Sequence, residues 1–257
     1  MSDIDRILAL PETDTSKSPD LTKNFRRRNG GMSLRPIQNQ MLYQAHLAQG
    51  LLGLVGVGEG KTLASMLMPH VMKGVSRPLL LIPASMRQQC IYDWGVYNRH
   101  FILPDTLMVR SYEELSSNSR LLSELLPDLI IADEAHKLRN FTASRTKRVS
   151  RYIQRAKPRF IALSGTLTST SLEDFAHLSR WALGDLSPVP ARKTFLMSWS
   201  QCLDRDGKPT KADKMSMAKL VKQFGGNERE AFQARMEKSR GVVISKNSGP
   251  PCSLVIK

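Results

Sequence analysis

Short apolar runs alternate with longer amphipathic segments from Leu34 onward. The apolar runs are nearly continuous, which is typical of strands buried on both faces of a parallel sheet. The predicted strands are residues 51–57, 79–83, 106–111, 128–133 and 159–164. The predicted helices are residues 62–73, 85–97, 112–125, 143–155 and 171–183. This alternation predicts an α/β fold: an open, doubly wound parallel sheet with helices on both faces and ligands at the carboxyl ends of its strands.

The composition divides the chain into three predicted regions. Residues 1–31 are largely polar and end in the basic run Arg26, Arg27 and Arg28, so they are predicted to form a flexible basic leader. Residues 32–184 carry the alternation and form the predicted α/β lobe. Beyond them, residues 185–257 are predicted to be a helical appendage, with helices at 215–224 and 228–238 and a strand-like run at 241–245.

The charge of the chain is strongly positive. It has 38 Lys and Arg against 23 Asp and Glu, a net charge of +15 and a sequence pI near 10.0. Such an excess favours a polyanionic partner, because basic side chains that neutralise phosphates release counterions. Nucleic acid is the leading prediction, and a merely solvated basic surface is the alternative.

Cysteine content and hydropathy bear on the compartment. Cys90, Cys202 and Cys252 are far apart and match neither a CxxC nor a Cys/His spacing, which argues against a disulfide framework or a structural zinc. The sequence has no run of 18 apolar residues, so we expect neither secretion nor membrane insertion. A reducing cytoplasm, that of a bacterium or a phage-infected cell, fits best, and a nucleus is the alternative.

A glycine-rich segment, residues 55–62, lies directly after the first predicted strand and directly before a helix. Gly58 and Gly60 would let backbone N–H groups turn towards phosphate oxygens at the helix N-terminus. Lys61 would add a positive charge near the β- and γ-phosphates, and the Thr62 hydroxyl could bind Mg²⁺. Val55 stands where the general phosphate-loop pattern has glycine. The alternative is a glycine-rich turn that contains a lysine by chance.

Two adjacent acids follow the fourth predicted strand. Four apolar residues end at Asp133 and Glu134. A buried strand that delivers Asp133 at its carboxyl end would place a carboxylate opposite Thr62, where it could hold magnesium. Glu134 could then polarise an attacking water. Alone, such a pair is common at a turn or helix start, but a phosphate loop earlier in the chain favours the catalytic interpretation.

These motifs resemble a known family. Residues 133–136 read DEAH, and their continuation Lys137-Leu138-Arg139-Asn140 resembles the chromatin-remodeller-like, Snf-type branch of superfamily-two helicases and translocases. Four further segments match that branch in order: residues 34–38, 80–85, 110–113 and 163–174. The resemblance implies the N-terminal RecA-like lobe of a nucleic-acid motor, with ATP and Mg²⁺ as cofactors.

The resemblance also implies roles for individual residues. The residues predicted to bind ATP are Arg35, Gln38, Gly58, Glu59, Gly60, Lys61 and Thr62, with Gln38 at the edge of the base. The predicted magnesium ligands are Thr62 and Asp133, and the predicted catalytic residues are Lys61, Asp133, Glu134 and His136. Without the resemblance, Gln38 would be interpreted as a surface residue and His136 as a structural histidine.

Two further sets concern the nucleic-acid track. The predicted contacts are Ser85, Ser111, Tyr112, Arg145 and Lys147. The residues predicted to couple nucleotide to track are Ser164, Gly165 and Thr166. Each has a structural alternative: a helix cap at Ser85, a strand end at Ser111 and Tyr112, a solvated helix face at Arg145 and Lys147, and a tight turn at 164–166.

A complete motor of this family has a second RecA-like lobe, whose arginines complete the ATP site. The end of the sequence resembles the run that enters that lobe, so we expect one half of a split helicase or translocase, from a compact genome such as that of a phage, with its second lobe on another chain. DNA is favoured over RNA as the track by analogy with the family. The alternative is a non-catalytic module that binds nucleic acid or protein. A P-loop kinase or GTPase is disfavoured, because DEAH and Ser-Gly-Thr have no role there.

Overall fold

Six parallel strands form one sheet in the computed structural model, which describes residues 2–14, 17–165, 171–204 and 208–245. The strands are β1 (Leu51–Leu54), β2 (Pro78–Ile82), β3 (Met108–Ser111), β4 (Leu129–Asp133), β5 (Arg159–Ser164) and β6 (Val242–Ile244). Their order across the sheet is β3-β2-β4-β5-β1-β6. The predicted fold class and the five predicted strands are confirmed, and the predicted bounds of β5 match.

Twelve α-helices surround the sheet among the described residues. They are α1 (Asp3–Leu8), α2 (Thr22–Phe25), α3 (Pro36–Ala48), α4 (Lys61–Val71), α5 (Arg87–Tyr97), α6 (Tyr112–Ser117), α7 (Leu121–Leu125), α8 (Ser144–Ala156), α9 (Leu172–Leu183), α10 (Lys193–Leu203), α11 (Lys211–Phe224) and α12 (Glu228–Glu237). The single helix predicted at 112–125 is two helices, α6 and α7. The one predicted at 85–97 begins with a 3₁₀ turn, Ala84–Met86.

Both faces of the sheet are buried, as the continuous apolar strands predict. Along β4, Ile130 and Ala132 pack into one hydrophobic cluster, and Leu129 and Ile131 pack into the cluster on the opposite face. This follows from the two-residue period of a strand. Side chains of α3, α4 and α5 belong to the second cluster, and those of α1 and of the helices from α6 to α12 belong to the first.

The parallel register brings three motifs to one edge of the sheet. Leu54 at the end of β1 pairs with Ser164 at the end of β5, and Asp133 at the end of β4 pairs with Leu163. The glycine-rich loop, the DEAH acids and the Ser-Gly pair therefore leave the sheet side by side. We call this edge the carboxyl edge.

The N-terminal region differs from the flexible leader predicted for residues 1–31. Ile4 and Ile7 of α1 are buried in the first cluster. Arg6 donates hydrogen bonds to three backbone carbonyls, those of residues 185, 187 and 189, at 2.8, 2.7 and 3.0 Å. Arg27, in the basic run, donates to the Asn98 carbonyl at 2.7 Å. Helix α1 has only six residues, too few for its apolar spacing to stand out in the sequence.

The C-terminal region is more integrated than a helical appendage. Trp199 of α10 is fully buried and meets Phe232 of α12 edge to face, with ring centroids 5.9 Å apart. The helix α10 was not predicted. β6 pairs with β1 in the main sheet, so Val242 and its neighbours belong to the α/β lobe and not to a linker. Of the predicted region 185–257, residues 205–207 and 246–257 lie outside the described residues.

No helix in the described part of the chain is long and apolar enough to cross a membrane.

Candidate nucleotide-binding site

The loop after β1 has the backbone of a phosphate-binding loop. Gly58 and Gly60 both have φ of +81°, a left-handed conformation that other residues adopt only with strain. Gly60 also caps the N-terminus of α4, and a Cβ there would lie 2.3 Å from Nε2 of Gln38. A glycine is therefore required at position 60 twice over, for conformation and for space.

Lys61 is held inside this loop. Its side chain is only 8% exposed, and Nζ donates to the carbonyls of Val55 and Gly56 at 3.1 and 3.0 Å. The same nitrogen lies 3.9 Å from Oε1 of Glu134. A buried ammonium on a glycine-rich loop is well placed to meet an anion, since its present partners are neutral carbonyls and one more distant carboxylate.

The two DEAH acids have different environments. Asp133 is 3% exposed, and burial, followed by the negative charge of Glu134, raises the pKa of its carboxyl to about 6. For Glu134, the hydrogen bond from His136 is the largest influence, and it lowers the pKa of that carboxyl. One acid is therefore desolvated at the strand end, while its neighbour is stabilised as a carboxylate.

Glu134 has a strained backbone. Its φ and ψ are +56° and +50°, the left-handed region that residues other than glycine seldom adopt. Its Oε2 lies 3.1 Å from Nδ1 of His136, and that nitrogen lies 3.3 Å from the hydroxyl of Ser164. Strain at a polar residue in a cleft is a feature of functional sites. His136 thus bridges the DEAH turn and the end of β5.

The end of β5 lies directly behind the glycine-rich loop. Ser164 is fully buried, and its carbonyl accepts from the N–H of Val55 at 3.2 Å. A Cβ at Gly165 would lie 3.1 Å from the Val55 carbonyl. Two of the three predicted coupling residues therefore touch the loop, and the third, Thr166, lies outside the described residues.

These residues line a cavity of about 300 Å³ at the carboxyl edge. Predicted residues that line it are Arg35, Gln38, Gly58, Gly60, Lys61, Thr62, Asp133 and Glu134. Met32, Met86 and Tyr97 also line it and were not predicted, because they come from distant segments with no motif of their own. Glu59, predicted to bind the cofactor, lines a neighbouring cavity instead.

Arg35 and Gln38 brace the loop. Arg35 Nη1 donates to the Gly58 carbonyl at 2.7 Å, and Gln38 Nε2 donates to the Gly60 carbonyl at 2.9 Å. Gln38 Oε1 accepts from the Arg35 N–H at 2.8 Å, and the residue is 4% exposed. The Gln38 amide therefore spans helix α3 and the loop, and the role predicted for it at the base edge stays a prediction.

The residues fit a divalent cation. Asp133 and Thr62 line the same cavity, and the Asp133 carboxylate accepts a hydrogen bond at 3.1 Å from the adjacent Glu134 N–H. A buried carboxylate that accepts so few hydrogen bonds is stabilised by a nearby cation. Mg²⁺ prefers oxygen ligands, which Asp133 and Thr62 both provide.

The predicted nucleic-acid residues divide into two groups. Ser85, Arg145 and Lys147 are at least partly exposed; Arg145 Nε donates to the Lys137 carbonyl at 2.7 Å. Ser111 caps α6 by accepting from the Glu114 N–H at 3.0 Å, and it is 4% exposed.

Tyr112 is fully buried, and its hydroxyl donates to the Asp133 carbonyl at 2.8 Å. Its predicted contact with nucleic acid is wrong, because the ring is enclosed in the core and its hydroxyl is committed to the DEAH strand.

Comparisons with known proteins agree with this geometry. The chain is structurally similar to the Sulfolobus solfataricus SWI2/SNF2 ATPase core in complex with dsDNA, with a TM-score of 0.56 and 19% sequence identity. The match covers 74% of this chain and 43% of the archaeal chain, so this chain spans less than half of that protein's length. No curated protein sequence gives a significant match. The family model for the SNF2-related domain matches residues 62–229. Since that is more than half of the sequence, the chain belongs to the SNF2-related domain family.

Proposed function

We propose that this chain is the ATP-binding, N-terminal lobe of a double-stranded-DNA translocase. One observation carries the proposal: the buried Lys61 ammonium and the acids Asp133 and Glu134 meet around one cavity at the carboxyl edge of the sheet. The net charge of +15 and the DNA in the archaeal relative's structure support DNA as the polyanion.

The residues of the cavity divide the work as follows. The loop glycines and Lys61 would hold the phosphates of ATP, and Thr62 and Asp133 would hold Mg²⁺. When bound, this ion would supply charge neutralisation for the phosphates. Glu134 orients and deprotonates the attacking water, for which its lowered pKa keeps it ionised. His136 relays the state of Glu134 to Ser164 through contacts of 3.1 and 3.3 Å.

Turnover on this lobe alone should be slow. Phosphoryl transfer depends strongly on arginines that reach the γ-phosphate, and in this family a second RecA-like lobe supplies them. We propose that such a lobe completes the ATP site described here. The exposed Ser85 and Lys147 and the half-buried Arg145 would contact the DNA backbone, and movement along the duplex would not require strand separation.

The first experiment measures nucleotide binding by the lobe with a fluorescent ATP analogue and Mg²⁺. We expect Lys61→Ala to weaken binding at least tenfold, because it removes a buried charge from the phosphate site, a loss of about 1.4 kcal/mol or more. Lys73→Ala is the matched control, since Lys73 is exposed and lies beyond the end of α4. Equal binding by wild type and Lys61→Ala would contradict the ATP site.

The second experiment separates a motor from a non-catalytic module. DNA binding is titrated against salt for wild type and for the double variant Arg145→Glu, Lys147→Glu, and a shallower salt slope is expected for the variant. ATPase activity is then measured with duplex DNA and with a candidate second-lobe chain. Stimulation by both, lost in Lys61→Ala, supports the motor. DNA binding with no ATP binding would support the module instead.

A further inference from the structure

A second groove lies between α7 and α8, apart from the nucleotide cavity. It has a volume of about 600 Å³. The residues that line it are apolar, small or basic, and no acid is among them. They include Leu115, Leu122, Leu126, Tyr152 and the arginines 148, 151 and 155. We call it the α7–α8 groove.

The floor of the groove is apolar and one of its leucines is exposed. Leu115 and Leu122 are buried beneath it, whereas Leu126 is 50% exposed. Leu126 caps the C-terminus of α7 and has φ of +46° and ψ of +51°. Glycine and asparagine adopt this left-handed conformation more readily than leucine does. A leucine that is both strained and exposed suggests selection for an apolar contact at this position, since local stability would favour another residue.

The rim of the groove is a stripe of arginines on α8. Arg148, Arg151 and Arg155 are spaced by three and four residues, so they project from one face of the helix. Within the described residues, no carboxylate forms an ion pair with any of the three. Arg148 is fixed in place by a bond from Nη1 to the Leu115 carbonyl at 2.5 Å. The stripe therefore presents positive charge to whatever occupies the groove.

The groove begins at Arg148, directly after the proposed DNA contact Lys147, and extends away from it along α8. Helix α8 leaves the carboxyl edge near Arg145 and runs back towards the start of β5, so its end lies at the opposite edge of the sheet. At 1.5 Å per residue, Arg155 lies about 15 Å along the axis from Arg145. Tyr152, which lines the groove, donates to the Pro127 carbonyl at 2.9 Å, just before β4 begins. Arg151 and Arg155 thus lie towards the end of the lobe opposite to Arg145.

We propose that the α7–α8 groove docks an acidic segment of a partner protein, whose carboxylates pair with Arg151 and Arg155 while its apolar side chains cover Leu126 and Tyr152. Charge complementarity selects an acidic occupant, because the rim has three cations and no anion. The apolar floor favours a peptide over a nucleic-acid backbone, which would neutralise the arginines but leave Leu126 in water. Apolar anchors inside a charged rim are the usual anatomy of such interfaces.

The test uses a labelled 18-residue peptide in which leucine and phenylalanine recur every three or four positions among aspartates and glutamates. We expect saturable binding to the full chain. Arg151→Glu and Arg155→Glu should each weaken it about tenfold, since each converts an attraction into a repulsion. Leu126→Asn should weaken it by about threefold, because it removes apolar area. Asparagine suits the left-handed backbone, so that variant should fold at least as well as wild type.

Three controls distinguish the possible occupants. Lys222→Glu on α11 makes the same change in net charge outside the groove and should leave peptide binding unchanged. A peptide with serine in place of the leucines and phenylalanines should bind more weakly than the original. Duplex DNA affinity should change less than twofold in Leu126→Asn.

Three outcomes would overturn the proposal. The first is the absence of saturable peptide binding. The second is peptide binding that Lys222→Glu weakens as much as Arg151→Glu does. In the third, Arg151→Glu and Arg155→Glu reduce the affinity for duplex DNA about tenfold, and Leu126→Asn leaves peptide binding unchanged. That result would assign the groove to nucleic acid. All three outcomes are independent of whether Lys61 binds ATP.

Discussion

The carboxyl edge and the terminal helices use buried charge in opposite ways. At the edge, Lys61 is held by two neutral carbonyls, and Asp133 has a raised pKa. In the terminal region, Arg6 is bonded to three carbonyls, and Asp3 accepts from two backbone N–H groups, at 2.5 and 2.9 Å. A charged group with few hydrogen bonds, such as Lys61 or Asp133, can exchange them for contacts with a ligand. A charged group with many hydrogen bonds, such as Arg6 or Asp3, holds two segments of the chain together. We therefore expect the first pair to matter for ATP binding and hydrolysis and the second pair for stability.

The largest expected effect is at the edge. Glu134→Gln should lower the rate of ATP hydrolysis by a factor of about 10² to 10⁴, because the amide cannot accept the proton of the attacking water. Chemical unfolding should show little loss of stability, since a glutamine side chain fills the same space as the glutamate. The rate is measured with duplex DNA and the second lobe present, with the exposed Glu124→Gln as control. If Glu134→Gln unfolded easily but hydrolysed ATP at the normal rate, Glu134 would be a residue that stabilises the fold and not a catalytic one.

Arg6→Ala should show the converse behaviour. It removes three hydrogen bonds to backbone carbonyls and the ion pair with Asp3 at 3.1 Å; at about 1 kcal/mol for each carbonyl bond, the free energy of unfolding should fall by at least about 3 kcal/mol. Affinity for the fluorescent ATP analogue, measured well below the denaturation midpoint, should not change. Arg6→Lys is informative because one ammonium cannot span three carbonyls, and it should recover only part of the loss. If Arg6→Ala were as stable as wild type, the proposed stabilising role of the charged residues in the terminal region would be contradicted.

His177 should make stability depend on pH. Burial lowers the pKa of its imidazole from 6.5 to about 4, and Nε2 lies 2.9 Å from the Leu138 carbonyl. The unfolded state therefore binds this proton more readily, so His177 contributes a loss of stability of at most about 3 kcal/mol as the pH falls from 6.5 towards 4. The raised pKa of Asp133 acts in the opposite sense below about pH 6, so the effect of His177 is the difference between wild type and His177→Gln in urea unfolding at several pH values. Relative to wild type, the variant should gain stability as the pH falls over this interval, and a difference that does not change with pH would contradict the prediction.

The smallest expected effect is that of Tyr112, whose ring is buried in the core and whose hydroxyl bonds to Asp133 at the carboxyl edge. Tyr112→Phe removes the bond to the Asp133 carbonyl and should cost about 1 to 2 kcal/mol of stability. Tyr152→Phe removes a similar bond to the Pro127 carbonyl, near the other end of β4. We expect similar losses of stability from both, but slower ATP hydrolysis only in Tyr112→Phe. Equal rates would show that the Tyr112 bond is structural alone.

Local patterns predicted the carboxyl edge well. Glycines at positions 58 and 60, and apolar runs that end in Asp133 or Ser164, specify backbone conformations within a few residues, and parallel strands then bring them together. Long-range packing was not predictable in the same way. Ile4 and Ile7 lie in a helix of only six residues, and β6 has three residues, so neither gives a strong periodic signal.

The errors in the predicted site have a related cause. Tyr112 was assigned from the family pattern, which does not say on which side of the strand end the ring lies. Its burial depends on α6 packing against the DEAH strand. Met32 and Tyr97 reach the cavity only because α3 and α5 flank it in three dimensions. Patterns in the sequence place motifs along the chain, but side-chain direction is decided by neighbours distant in sequence.

The position of β6 has a mechanical consequence. It lies beside β1 in parallel register, the Ser245 N–H donates to the Leu54 carbonyl at 2.9 Å, and the Ser245 hydroxyl accepts from the Gly56 N–H at 3.1 Å. Tension applied at Ser245 along the axis of β6 would load these bonds in shear, all at once, instead of unzipping them one by one. Such tension would be felt first at Gly56, inside the glycine-rich loop. Strand β6 is thus a tether through which force on the polypeptide reaches the nucleotide cavity directly.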